Sequence, residues 1–94
     1  MTPFSGKTLM ITGGTGSFGE AVLKRFLDTD IAEIRIFSRD EKKQDDMRHH
    51  YQNDKIKYYI GDVRELSSVK NAIHGVDYLF HAAALKQVPS CEFF

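Results

Sequence analysis

The sequence predicts an α/β fold in which a parallel sheet carries helices on both faces. Three observations predict it. Four short apolar segments alternate with three helical patterns, and each connection between successive segments is long enough to hold a helix. A glycine-rich run also stands between the first strand and the first helix.

Thr8 to Thr12 is a short apolar run and reads as a buried strand. Ser17 to Leu27 follows as a helix, with Val22, Leu23, Phe26 and Leu27 on its apolar face. Glu33 to Phe37 alternates, placing Ile34 and Ile36 on one side of a second strand. Asp40 to Gln52 is heavily charged, with Met47 and Tyr51 four apart, the pattern of an exposed helix with a thin apolar stripe. Ile56 to Ile60 is a third strand. Glu65 to His74 is a third helix, with Leu66, Val69 and Ile73 inward and Gly75 as its stop. Tyr78 to Ala82 is a fourth strand. The order β-α-β-α-β-α-β implies right-handed crossovers and a strand order of 3-2-1-4, the first half of a doubly wound, Rossmann-type sheet. Residues 85–94 read as the approach to another helix, with Pro89 near its start. A sheet ending there would leave Tyr78-Leu79-Phe80 unpaired. Residues 1–94 are therefore expected to be the N-terminal, incomplete part of one such domain, with the remainder and a substrate domain lying beyond them.

The run Ile11-Thr12-Gly13-Gly14-Thr15-Gly16-Ser17-Phe18-Gly19 satisfies two spacings, Gly14-x-Gly16-x-x-Gly19 and Gly13-x-x-Gly16-x-x-Gly19. Early glycines permit a sharp turn through positive φ. A middle glycine lets a pyrophosphate approach the main chain, and the last lets helix and strand pack closely. The helix beginning at Ser17 aims its N–H groups and positive dipole end at the phosphates, and Ser17 could either cap it or bond a phosphate oxygen. A turn without a ligand is the plain alternative, and the strand–turn–helix setting favours a dinucleotide.

Composition bounds the remaining possibilities. Ninety-four residues, 41% hydrophobic and 28% charged, make at most one small globular domain. Thirteen basic and thirteen acidic residues cancel, so no charge excess points to nucleic acid or an anionic membrane. The apolar stretch near the N-terminus is too short for a signal peptide or a membrane span. A single cysteine, Cys91, excludes an internal disulfide and fits a reducing, cytoplasmic setting. His49 and His50 are adjacent and point to different helix faces, and one cysteine cannot build a zinc site, so no metal is expected. No lysine follows the glycines as in a P-loop. Phe4, Phe18, Phe26, Phe37, Phe80 and the tyrosines fall at core periods and read as packing.

Cofactor choice turns on the end of the second strand. NAD-preferring folds place an acid there for the ribose hydroxyls, whereas this chain offers Ser38-Arg39-Asp40. Arg39 can pair with a 2′-phosphate and stack on adenine, with Lys42 or Lys43 adding charge, which favours NADP. The alternative leaves Arg39 solvated and gives Asp40 the ribose of NAD. Asp62 and Val63 follow the third strand and could read the adenine edge, although Asp62 could equally cap the third helix. His81-Ala82-Ala83-Ala84 ends the fourth strand with small residues that would admit a ribose and nicotinamide.

Read together, TGGTGSFG, IFSRDEKKQDDM, YIGDVRE and FHAAALKQVPSCEF resemble the extended short-chain dehydrogenase/reductase family. The likeness is strongest to its nucleotide-sugar branch, the C5-inverting UDP-N-acetylglucosamine 4,6-dehydratases and related polysaccharide-biosynthesis, epimerase-like proteins. The resemblance implies that Thr15, Gly16, Ser17, Phe18 and Gly19 hold a pyrophosphate. It implies that Ser38 to Lys43 bind the adenosine 2′-phosphate and that Asp62 and Val63 line the adenine. It places Ala82 beside the cofactor and Lys86 between cofactor and substrate. The leading activity it implies is NADP-dependent dehydration of a UDP-sugar: oxidation at C4, loss of water across C5 and C6, and inversion at C5. A C4 epimerase of the same branch is the alternative, and a non-catalytic NADP-binding module or truncated relict is a third reading. In that family the acid–base groups follow a fifth strand, so these 94 residues alone are expected to be inactive. Family members commonly form homo-oligomers, and the same is implied for the full-length protein.

Overall fold

Side-chain alternation decides how the strands face. Leu9 and Ile11, Ile34 and Ile36, Ile56, and Phe80 all turn to one side of the sheet and are buried there, while Met10 and Phe37 are buried on the other. A computed structural model describes residues 4–13 and 16–81 of the chain. In it β1 (Thr8–Thr12), α1 (Ser17–Leu27), β2 (Glu33–Ser38), α2 (Glu41–Tyr51), β3 (Ile56–Ile60), α3 (Leu66–Ile73) and β4 (Tyr78–His81) follow in that order. The four strands are parallel and ordered β3-β2-β1-β4, as expected from the sequence.

Helices cover both faces. Leu23 of α1 and Met47 of α2 join the cluster of Leu9, Ile11, Ile34, Ile36, Ile56 and Phe80. Ala72 of α3 packs with Met10 and Phe37 on the opposite face, flanked by Val69, Ile73 and Leu79. Each isoleucine or leucine buried this way stabilises the fold by roughly 1.5–3 kcal/mol. The register Ile11↔Ile36 and Thr12↔His81, with Ser38↔Ile60, brings the carboxyl ends of all four strands to one edge.

Several local expectations are corrected. Leu66 was expected inward, yet it is 67% exposed; the inward stripe of α3 is the buried Ala72 with Val69 and Ile73 half-buried beside it. Leu66 opens the first turn of α3 and is not among the residues packed with Met10, Phe37 and Ala72. Asp62 does not cap α3, because Glu65 is the capping position and makes no side-chain bond there. Ser17 does not cap α1; Gly16 occupies that position, again with no side-chain bond. Asp40 lies just outside α2 as its cap, and Gln52 ends that helix in the left-handed region, at φ 45°. Ser38 extends β2 by one residue. Phe18 is not core packing: its ring is 52% exposed and stacks on Phe80 with centroids 5.7 Å apart. No helix among the described residues is long and apolar enough to cross a membrane.

Candidate functional site

The site grows from the edge where the parallel strands end. β1 closes at Gly13, which has φ 69°, a conformation that costs other residues but not glycine. Its N–H donates to the Phe37 carbonyl at 2.8 Å, and the Gly16 N–H donates to the Gly13 carbonyl at 3.1 Å. Gly16 itself has an ordinary extended conformation, φ −78° and ψ 169°. Among the described residues, a Cβ there would touch only the Gly13 carbonyl, at 3.6 Å. Nothing in the described chain requires a bare main chain at position 16. The amino end of α1 beside it has no side-chain cap, an arrangement that favours an anion.

The second wall is the end of β2. Ser38 Oγ accepts from the Asp40 N–H at 3.2 Å and from Gln44 Nε2 at 3.1 Å. Gln44, 1% exposed, also donates to the Tyr59 carbonyl at 2.9 Å and so ties the ends of β2 and β3 together. Asp40 Oδ1 accepts from the Lys43 N–H at 3.0 Å, which commits that oxygen to the start of α2. Arg39 reaches outward, its side chain 70% exposed.

The third wall follows β3. Gly61 passes directly over the ring of Phe37, and Asp62 then folds back on Arg64. Asp62 Oδ1 accepts from the Arg64 N–H at 2.9 Å, and Arg64 Nη2 donates to Oδ2 at 2.8 Å. Arg39 Nη1 lies 3.6 Å from the same Oδ2. These hydrogen bonds from Arg64, aided by the charge of Arg39, hold the Asp62 carboxyl down to a pKa of about 2. The Arg64 guanidinium is correspondingly pushed up by Asp62. Gly13, Phe37, Ser38, Arg39, Asp62, Val63 and Arg64 enclose a cleft of about 250 Å³. Val63, 40% exposed, offers it an apolar shelf. At the far end of the edge, Thr12 Oγ1 and His81 Nδ1 are hydrogen-bonded between β1 and β4.

Of the residues singled out in the sequence, Gly13, Ser38, Arg39, Asp62 and Val63 thus meet in one cleft. Gly16, Ser17, Phe18 and Gly19 stand at the start of α1. Lys42 does not join them; it lines a separate groove with Gln44, Arg48, Tyr58 and Ile60. Lys43 contributes its main-chain N–H to the Asp40 cap. Thr15, Ala82, Ala83, Ala84 and Lys86 lie outside the described residues. Arg64 and Gln44 were not foreseen. Gln44 carried a signal, a polar side chain on the same helix stripe as Met47 and Tyr51.

A family model for polysaccharide biosynthesis proteins matches residues 9–94. The chain belongs to that family. Among curated relatives, the UDP-glucose 4-epimerase of Rickettsia canadensis is 70% identical over 97% of the chain, which spans 28% of the relative's length. Among solved structures, Pen from Bacillus thuringiensis is 37% identical with a TM-score of 0.84, covering 93% of this chain and 27% of that one. The Bordetella bronchiseptica enzyme WbmF, solved in complex with NAD+ and UDP, is 15% identical with a TM-score of 0.65, covering 83% of this chain and 23% of its own; this is a likeness of fold. The four-stranded parallel sheet is thus the Rossmann-like sheet of these structural neighbours.

Proposed function

We propose that these residues are the dinucleotide-holding N-terminal part of a nucleotide-sugar C4 epimerase that acts on a UDP-hexose. The observation that carries this reading is the 70% identity, over almost the whole chain, to a protein named UDP-glucose 4-epimerase. The sequence motifs alone put the 4,6-dehydratase first; the names of these relatives favour the epimerase, and the order is reversed accordingly.

The cleft suits the adenosine end of a nicotinamide dinucleotide. Gly13 and Gly16 shape the turn, their own N–H groups being spent within the chain, and Ser17, Phe18 and Gly19 at the amino end of α1 offer main-chain amides to the pyrophosphate. Val63 and Asp62 take the adenine, and Ser38 and Arg39 take its ribose. The sequence resemblance adds Ala82, Ala83, Ala84 and Lys86 beside the nicotinamide and sugar. When bound, the dinucleotide supplies a reversible hydride acceptor for C4 of the sugar. In this reading the residues of the cleft and of the α1 amino end bind and orient it, and the acid–base groups belong to the rest of the polypeptide. NADP is favoured over NAD because Arg39 leaves most of its guanidinium free at the ribose position, while Asp40 is engaged in capping α2.

The test uses the complete polypeptide with UDP-glucose and with UDP-N-acetylglucosamine. An epimer of unchanged mass supports the reading. A product lighter by one water overturns it in favour of the dehydratase, and unchanged substrate in both reactions rejects the branch's chemistry altogether.

A further inference from the structure

One carboxylate oxygen, Asp62 Oδ2, faces two guanidinium groups across the cleft, Arg64 at 2.8 Å and Arg39 at 3.6 Å. The arginines are 75% and 70% exposed, while the carboxylate beneath them is 15% exposed. Arg64 Nε lies 3.1 and 3.2 Å from the two Asp62 oxygens, so the pair is a fork that fixes the plane of the guanidinium. Arg64 Nη1 takes no part in that fork, and Arg39 touches Asp62 through a single long contact. Unspent donors of both arginines therefore border the same cleft as Ser38 and Val63.

We propose that Arg64 is a specificity-determining residue of this cleft, forming with Arg39 a two-guanidinium clamp for the phosphate on an adenosine ribose. In this arrangement Asp62 orients Arg64 and competes with the phosphate for Arg39. The proposal rests on the dinucleotide reading above and adds to it a residue and a competing anion. Two cations and one carboxylate leave one net positive charge in the cleft, and a phosphate monoester brings about −1.5 to −2 at neutral pH. A ribose hydroxyl brings none, so the clamp discriminates between cofactors that differ only at that position. Asp62 lowers this discrimination by neutralising part of the clamp. It also prevents Arg64 from swinging into solvent, which would cost side-chain entropy on every binding event.

The experiment measures Kd for NADP and for NAD by calorimetry in the complete polypeptide and its variants, and reads their ratio. Within one variant the ratio cancels any loss of folded protein. Arg64→Ala is expected to lower the preference for NADP about tenfold or more, the scale of one charge-assisted hydrogen bond. Asp62→Asn, which keeps the shape and removes the competing charge, is expected to raise it several-fold. Arg64→Lys, which keeps a cation but loses the fork, is expected to fall between wild type and Arg64→Ala, and serves if the alanine variant binds neither cofactor. An Arg64 that merely braces the loop would weaken NADP and NAD in step, and an unchanged ratio overturns the proposal. If wild type prefers NADP, and Arg39→Ala abolishes the preference while Arg64→Ala keeps it, the clamp fails and the cofactor reading survives. If wild type shows no preference for NADP, both fall.

Discussion

A Cβ on Gly61 would lie 2.7 Å from Cζ of Phe37 and 3.0 Å from Cβ of Ser68. The ring of Phe37, 1% exposed, thus occupies the space that any side chain at position 61 would need. The two residues belong to neighbouring strand ends, and their contact sets the height at which the Asp62 loop crosses the cleft.

Gly61→Ala is therefore expected to destabilise the complete protein by about 1–3 kcal/mol, the usual cost of overpacking a filled core. It should also weaken dinucleotide binding, because the loop must lift to clear the ring. Urea unfolding with an unchanged slope checks the first effect and calorimetry the second. A variant as stable as wild type would show that the Phe37 ring yields freely.

Gly16→Ala makes the opposite pairing of effects. Its Cβ would meet only the Gly13 carbonyl among the described residues, at 3.6 Å, and its φ is ordinary. Stability should fall by no more than about 1 kcal/mol, the difference between glycine and alanine at a helix cap. On the proposed reading, affinity for the dinucleotide should fall about tenfold or more, since the methyl group would stand where that reading puts the pyrophosphate. Loss of stability without loss of affinity would remove the anion site from this turn.

Gln44 is a buried bolt between two strand ends. Replacing it with leucine keeps its bulk but takes the amide donor from the Tyr59 carbonyl, while Ser38 Oγ keeps the Asp40 N–H. The expected cost is about 1–3 kcal/mol, the scale of a buried acceptor that loses its donor. Thermal unfolding of Gln44→Leu measures it, and a change within about 0.5 kcal/mol would mean that water replaces the amide.

These contrasts mark where the fold was legible in the chain. Ile34 and Ile36 betray β2 because a strand repeats every two residues, and Gly75, with φ 81°, betrays the end of α3 because other residues resist that conformation. The meeting of Gly13, Arg39 and Asp62 was legible from topology alone, since parallel strands with helical crossovers bring their carboxyl ends to one edge. Gln44 and Arg35 were not. Arg35 crosses to α3 and donates to the carbonyls of Ala72 and His74 at 2.7 and 2.6 Å, partners 37 and 39 residues away. A polar residue reads as solvent-facing until the packing of distant elements gives it a partner. Leu66 erred the other way, since periodicity gives a helix its face but not how far the sheet extends beneath it. Arg64 hid because its fork with Asp62 is set by the conformation of the loop after β3, which no strand or helix period reports.

The charge of Asp62 supplies the last prediction. Its folded pKa of about 2 lies below the ordinary 3.8, chiefly because Arg64 donates hydrogen bonds to the ionised form. A depressed carboxyl pKa contributes stability that is fully present above the unfolded value and is lost as pH falls through the folded one. The window is therefore from just above 3.8 down to about 2, and across neutral pH Asp62 stays ionised. Any change in NADP preference between pH 5 and 8 should then follow the second ionisation of the cofactor's own phosphate, near pH 6, and not the protein carboxylate. Carboxyl NMR of Asp62 should give a midpoint near 2 in wild type. In Arg64→Ala the midpoint should move back toward the ordinary value, with Arg39 retaining part of the depression. A midpoint that stays put in Arg64→Ala would show that the fork does not set the charge of this loop.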